Sequence, residues 1–191
     1  MASVRVMMPI GPLMIEHRLI ERAIKQMKIE LERATIENMI DVRFIDSWVD
    51  FIRVYADQTH HGKEEQILFR DLGSKPLSPD LLRTMEGLIA DHMQARRMVG
   101  ELASARNKYV DGDASAFDQL MMIGNELVEL YPPHIRKEDR EFFIPVMEYF
   151  SKEEKDEMLK RFREFDEGVV HEHYRAVVES MEKGRPITKR F

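Results

Sequence analysis

Hydrophobic positions recur at helical spacing along most of this chain. Soon after Pro12, apolar side chains three or four residues apart predict a first helix that runs to about Ala34, with the stripe Leu13, Met14, Ile20, Ile24, Met27 and Leu31. A second helix is predicted from an N-cap at Asp41 to the segment DLGSKP, where Gly73 and Pro76 end it. Both predicted helices have the length typical of a helix bundle.

Local capping signals predict two more helices. Ser78 followed by Pro79 is typical of an N-cap with proline in the first turn, and this third helix should end before the turn at Asp111. Ser151 with Glu154 forms a capping box that opens a C-terminal helix. The apolar stripe of that last helix is Met158, Phe162, Phe165, Val169, Val177 and Met181.

Between these two, a fourth helical stretch is predicted from Ser115 to about Phe150. Pro132 and Pro133 lie inside it, and we expect a kink there because each proline removes a backbone donor and crowds the preceding turn. Four long helices joined by short turns predict an all-α protein, an antiparallel up-down four-helix bundle with an additional C-terminal helix. The chain would then consist of an N-terminal segment at 1–12, the bundle at 13–150, the C-terminal helix packed on the bundle at 151–183 and a tail at 184–191.

Composition supports this class and narrows the function. The 191 residues are enough to bury a core in one domain, and 34% charged residues with only eight prolines and nine glycines favour helices. The formal net charge of -6, without a basic stripe, argues against nucleic acid as a partner. The absence of cysteine excludes disulfides, thiolate catalysis and iron–sulfur clusters, so any metal must be bound by nitrogen and oxygen.

The N-terminal residues do not resemble a targeting segment. Pro9, Gly11 and Pro12 interrupt the sequence MASVRVMMPIGPLM before an apolar stretch of signal-peptide length can form, and no run approaches a membrane span of about 20 residues. We therefore expect a cytoplasmic protein without a membrane partner.

Histidines mark each of the first four predicted helices. His17 lies on the first, His60 and His61 on the second, His92 on the third and His134 on the fourth. Glutamate follows histidine by four residues on the second and fourth helices, in HHGKEE and HIRKE, and residues at this spacing share a helix face.

The doubled HHGKEE segment allows two registers, His60 with Glu64 or His61 with Glu65. In an α-helix, stepping back by four from Glu64 meets His60, Ala56, Ile52 and Trp48, whereas stepping back from Glu65 meets His61, Asp57 and Arg53. Only the first register continues the apolar core. We therefore expect His61 and Glu65 at the flank, and we expect a His61→Ala variant to keep its metals.

Six polar groups in one bundle interior require compensation. An unpaired buried carboxylate is costly, and a bound cation removes that cost. Imidazoles with two carboxylates able to bridge suit two divalent ions, and nitrogen and oxygen ligation with open positions favours iron, with manganese or zinc as substitutes.

The order His, HxxxE, His, HxxxE on successive helices resembles the haemerythrin-like, or HHE cation-binding, family. The segments HHGKEEQILF and HIRKEDREFFIP carry the resemblance, which covers roughly residues 13–148. It implies that the terminal ligands are histidines and that the bridging ligands are Glu64 and Glu138. The implied terminal ligands are His17, His60, His92 and His134, and the implied cofactor is a pair of iron ions with an oxo or hydroxo bridge.

The resemblance also implies a range of functions. Oxygen-carrying haemerythrins place five histidines around the metal pair and use an aspartate as the second bridge, whereas here four core histidines and two glutamates are expected. Members of the four-histidine type bind or sense a small oxidant such as oxygen, peroxide or nitric oxide, or handle iron. The alternatives are a di-iron oxidase or peroxide-consuming enzyme, and a metal-stabilised module that recruits another protein.

Several residues near the ligand rows are candidates for supporting roles. Glu21 is either a third carboxylate or a hydrogen-bond partner of a histidine, and His61 and Glu65 could orient a ligand imidazole. Tyr55 and Tyr131 could donate hydrogen bonds to a metal-bound species, although core tyrosines are commonly structural.

The C-terminal helix carries two further histidines. His171 and His173 point in different directions. His173 continues the row of Phe165 and Val169 and could approach the bundle from outside, although a structural contact is the better interpretation. The segment HEHYR is not a zinc-protease motif, because HExxH needs histidine where Arg175 stands. The Glu-x-x-His pairs of ferritin-like di-iron proteins do not occur either.

Overall fold

The computed structural model describes residues 8–166 and 170–183, and this part of the chain is helical without a β-strand. Helix α1 spans Ile10–Glu37, with Pro9 at its N-cap and Asn38 in the left-handed conformation at its C-cap. It begins before Pro12 because proline in a first turn leaves no additional donor unsatisfied. The first predicted helix is therefore present and three residues longer at its start.

The second predicted helix is continuous but changes its hydrogen bonding along its length. Helix α2, Val42–Phe51, begins where the side chain of Asp41 accepts from the backbone N–H groups of Arg43 and Phe44. It continues as two π-helical segments, with i→i+5 hydrogen bonds, and ends in the short helix α3. These three parts are Ile52–His61, Glu64–Phe69 and Arg70–Leu72.

The next two long helices follow after short connections. Helix α4, Pro79–Val110, is capped by the Ser78 hydroxyl, which accepts from the backbone N–H of Leu81. Helix α5, Ala116–Lys137, continues through both of its prolines. The chain then passes through a π-helical segment, a short α-helix α6 and a 3-10 turn, at Glu138–Phe142, Phe143–Val146 and Met147–Tyr149.

Four long elements pack around one interior. Helix α5 lies against α1 and α4, and the second helix, with its π-helical continuation, lies against α1 and α4. Each of the four therefore has two neighbours, as in a bundle. Apolar clusters on both sides of the polar middle include the buried side chains of Trp48, Leu102 and Leu127 on one side and Leu68, Phe142 and Phe162 on the other. No described helix is both long and apolar enough to cross a membrane.

The predicted single C-terminal helix is wrong, because two helices occupy this region. Helix α7, Lys152–Phe165, begins at the predicted capping box of Ser151, and it ends at Asp166, whose backbone is extended. Helix α8, Val170–Glu182, packs against α1 and α2 through the buried Tyr174 and Val178. Val169, the predicted N-terminal segment through residue 7 and the tail at 184–191 lie outside the described residues.

Candidate metal centre

The π-helical segment Ile52–His61 directs two consecutive histidines toward the bundle interior. His60 is 1% exposed and His61 is 2% exposed. An i→i+5 turn contains one more residue than an α-helical turn, so neighbouring side chains can face the same side. The prediction that His61 lies at the solvated flank is therefore wrong, and its cause is the assumption of α-helical periodicity.

Seven buried side chains form two adjacent groups. In the first, ligand atoms of His17, His60, Glu64 and Glu138 lie within 4.8 Å of one another, and in the second the same holds for His61, His92 and His134. The six predicted ligands are thus brought together, and His61 joins them as a seventh. The centre contains five histidines rather than four.

The two glutamates lie between the groups. Glu138 Oε2 is 3.1 Å from Nε2 of His17 and 3.2 Å from Nε2 of His134. Glu64 Oε1 is 3.4 Å from Nε2 of His60, and its Oε2 is 3.5 Å from Nε2 of His92. Each carboxylate therefore contacts one histidine from each group, which is the placement required of a bridge.

Every one of the five imidazoles also contacts a carboxylate through its outer nitrogen. Because a carboxylate only accepts, Nδ1 of each ring is the donor in this contact, and Nε2 is the nitrogen left to bind a metal in the interior. The pairs are His17 with Asp139 at 2.7 Å, His60 with Glu16 at 2.8 Å, His61 with Asp57 at 3.3 Å, His92 with Glu65 at 2.8 Å and His134 with Asp91 at 3.3 Å. All five rings are oriented as metal ligands.

Cations in turn hold these outer carboxylates. Lys63 has a fully buried side chain that donates to Glu16 and, at 2.6 Å, to Asp166. Arg96 donates to both Asp57 and Glu65. The carboxylates of Asp139 and Asp91 contact Arg18 and Lys137. These contacts fix the carboxylates beside the histidines.

The pKa values of the histidines diverge within the centre. Burial acts to lower the pKa of His17, but the hydrogen bond to Asp139 and the close carboxylate of Glu138 raise it to about 9. Burial also acts to lower the pKa of His134, but the charge of Glu138 raises it to about 10. Burial and the charge of His17 lower the pKa of His60 to about 4. Protons thus supply positive charge beside the glutamates, and a metal must displace them.

The two glutamates also differ in protonation. Burial and the charge of Glu138 raise the pKa of Glu64 well above its ordinary value. Burial acts in the same direction on Glu138, but the charge of His134 and the close contacts with the rings of His134 and His17 hold its pKa well below the usual range. Two buried carboxylates side by side favour protonation of one unless a cation is present.

The donor set fits metal ions. Six buried atoms of the centre have no hydrogen bond of acceptable geometry to any described residue: Nε2 of His17 and His60 and both oxygens of Glu64 and Glu138. Buried polar atoms without partners are costly, and each of the six can present a lone pair to a metal once any proton on it is displaced. Imidazole nitrogen with carboxylate oxygen suits iron, manganese and zinc.

The predicted supporting residues have mixed outcomes. Glu65 contacts the ring of His92, whereas Glu21 is exposed and pairs with Arg18 at 3.0 Å, so its expected contact with a histidine is wrong. The carboxylates of Glu16 and Asp139 occupy that role instead. The sequence gives no signal for them, since both point to histidines on other helices.

The tyrosines and the C-terminal histidines lie farther out. The hydroxyl of Tyr55 is 3.2 Å from Nδ1 of His171, and Nε2 of His171 is 3.1 Å from Asp166. His173 is exposed, and His171 is the histidine of α8 that contacts the bundle, through Tyr55. The hydroxyl of Tyr131 is buried and has no hydrogen-bond partner among the described residues.

Comparison with known proteins agrees with this geometry. The family model described as the hemerythrin HHE cation-binding domain matches residues 8–146, a range that contains all seven side chains of the centre. Neither the curated proteins nor the solved structures gave a significant match. The family model covers well over half of the chain, and the resemblance noted from the sequence is confirmed. The chain therefore belongs to the hemerythrin HHE cation-binding family.

Proposed function

We propose that this protein holds two iron ions and uses them to bind or sense a small oxidant such as oxygen, peroxide or nitric oxide. His61, His92 and His134 would hold one ion, and His17 and His60 the other. When bound, the ions supply exchangeable electrons and Lewis acidity for a small molecule.

One observation carries the proposal: two buried carboxylates each contact histidines of both groups. Glu138 lies between His17 and His134, and Glu64 lies between His60 and His92, at 3.1 to 3.5 Å. A single ion would not need both groups. Two-metal sites place their ions a few ångströms apart, and bridging carboxylates suit that spacing.

The histidine count also favours a small-molecule ligand. One group offers three imidazoles and the other only two, while both share the glutamates. The ion held by two histidines would therefore have fewer protein ligands and more room for an exogenous one. The outer carboxylates fix all five imidazoles, so the chain itself keeps this asymmetry.

The first experiment is a metal count combined with a visible spectrum. The full chain is purified under anaerobic, reducing conditions, its metals are measured by elemental analysis, and spectra are recorded before and after admission of air. About two irons per chain and new charge-transfer bands are expected. A chain with no metal, or with zinc and no spectral response, would contradict the proposal.

The same samples separate the alternatives. Bands that persist while the oxidant is present and disappear when it is removed indicate a sensor or carrier. Repeated consumption of peroxide indicates an oxidase or peroxide-consuming enzyme. Zinc with a silent spectrum indicates a metal-stabilised module.

We also infer that the four bundle helices alternate in direction, in an antiparallel up-down arrangement. The connections at 38–41, 73–78 and 111–115 support this, because short connections join antiparallel neighbours. In this arrangement residues 13–150 form the bundle domain, and α7 and α8 form a C-terminal addition to it.

A further inference from the structure

A pocket of about 300 Å³ lies beside the metal centre on the side of His61. The π-helical segment Ile52–His61 forms one wall, α4 forms a second and Tyr131 of α5 contributes to a third. His61 lines the pocket with its ring, and its Nδ1 contacts Asp57, another lining residue. Apart from His61, the polar residues that line the pocket lie outside the set of seven proposed ligands.

Tyr131 brings an unpartnered polar group to this pocket. The residue is 2% exposed, and its hydroxyl has no hydrogen-bond partner in the described part of the chain. Burial raises the pKa of the Tyr131 hydroxyl. Asp57 and Arg96 also line the pocket, and they are close enough for their charges to act on this pKa. A buried hydroxyl without a partner is unfavourable, so a polar group of a bound molecule would be stabilised there.

The charges around the pocket favour an anion. Arg53 is exposed at the rim and makes no ion pair with a described residue. Arg96 is shared between Asp57, which lines the pocket, and Glu65, which does not, so the charged lining residues are two arginines and one carboxylate. The positive charge of Arg53 is left without a counterion, and a guanidinium binds a carboxylate through two parallel hydrogen bonds.

The remaining wall is apolar. Ile52, Ala95 and Val99 line the space between the rim and the buried hydroxyl. A cavity of about 150 Å³ holds a benzene ring, so twice that volume holds a ring with two small substituents. An aromatic ring also fills such a slot with few rotatable bonds to immobilise.

We propose that this pocket binds a small hydroxylated aromatic carboxylate. The carboxylate pairs with Arg53 at the rim, the ring packs on Ile52, Ala95 and Val99, and the ring hydroxyl forms a hydrogen bond with Tyr131. The ligand contacts none of the interior Nε2 atoms. Binding therefore does not depend on which metal the centre holds.

The test measures binding of 4-hydroxybenzoate to the metal-loaded full chain by calorimetry. Benzoate lacks the hydroxyl and 4-hydroxybenzamide lacks the charge, so each reports one contact. A dissociation constant on the order of 1 mM or below is expected for a ligand of this size. The hydroxyl should strengthen binding by about fivefold, and the carboxylate by about tenfold.

Two variants assign these differences to residues. In Tyr131→Phe the preference for 4-hydroxybenzoate over benzoate should disappear, and in Arg53→Gln the preference for the acid over the amide should disappear. The matched control is Arg97→Gln, because Arg97 is an exposed arginine of α4 that does not line the pocket. This control should bind 4-hydroxybenzoate like the unaltered protein.

Metal content is measured in every sample, which separates this proposal from that of the iron pair. If the chain purifies with zinc or without metal and still binds the acid, the binding supports the ligand site while the metal content contradicts the iron assignment. No binding at millimolar 4-hydroxybenzoate, or preferences that persist unchanged in both variants, would overturn the pocket proposal.

Discussion

The two halves of the metal centre differ in how their supporting carboxylates are shielded from water. Beside the pair of histidines, the Glu16 side chain is 4% exposed and its cation, Lys63, is 0% exposed. Beside the three histidines, Asp57 and Glu65 are 25% and 27% exposed, and the Arg96 that holds them is 37% exposed.

This difference connects the halves to different surroundings. The half with two histidines is linked through Lys63 and Asp166 to the C-terminal helices, and His171 of α8 contacts the same Asp166. The half with three histidines faces the pocket and the solvent. Electrostatic interactions are stronger where water is excluded, so equivalent changes should cost more in the first half.

Loss of a bridging carboxylate should have the largest effect, because it removes a ligand from both halves. The unaltered chain should hold about two metals, and we expect Glu138→Ala to lose one or both of them, as measured by elemental analysis. Glu64→Ala should behave alike. Glu21→Ala is the control, since Glu21 is exposed and contacts Arg18. Retention of both metals in Glu138→Ala would contradict the bridging role.

Loss of one histidine should affect one half. His61→Ala should lower the affinity for one of the two metals by more than about 100-fold, since even loss of a residue that only supports a ligand lowers metal affinity by about 10–100-fold. Metal titration with a competing chelator measures this change, and the exposed His173→Ala serves as control. Full retention of both metals would contradict the proposal that His61 is a metal ligand.

Removal of a supporting cation should lower the free energy of unfolding by different amounts in the two halves. Lys63→Met leaves Glu16 and Asp166 without their buried partner, and we expect a loss of about 3–5 kcal/mol in the free energy of unfolding. Arg96→Met removes a partly exposed cation, and about 0–1 kcal/mol is expected. Urea unfolding of the metal-free chains measures both. Equal losses would contradict the difference in shielding.

The smallest effects should come from the outer carboxylates. Glu16→Gln should weaken metal binding by close to 100-fold, and Asp57→Asn by nearer 10-fold, the two ends of the range for residues that orient a ligand. Chelator competition at one pH compares the two variants directly. A larger effect for Asp57→Asn would show that exposure of the supporting carboxylate does not set its contribution.

Helix boundaries were predictable where the signal is local. Asp41, Ser78 and Ser151 cap the helices as the sequence indicates, since each side chain accepts from backbone groups two or three residues ahead. The break at Asp166 was missed, although Gly168 follows it in the sequence and could have indicated an interruption.

The proximity of the six aligned candidate ligands was predictable from the sequence, but the position of His61 and the outer carboxylates were not. A register counted at α-helical spacing cannot place His61, because the hydrogen bonding of its segment changes to i→i+5. Glu16 lies 44 residues from its histidine, and Asp139 lies 122 residues from its own. Such pairings depend on how the helices pack, and no local pattern specifies them.

In a sequence alignment, a π-helical turn behaves as a one-residue insertion that leaves no loop. A relative with α-helical geometry between Trp48 and Glu64 could present the same glutamate with one residue fewer. Its single histidine could then be aligned with either His60 or His61, with the gap on either side. Motif spacing alone would therefore misassign one candidate metal ligand between such chains. The backbone conformation of this helix would be needed to align the equivalent histidines.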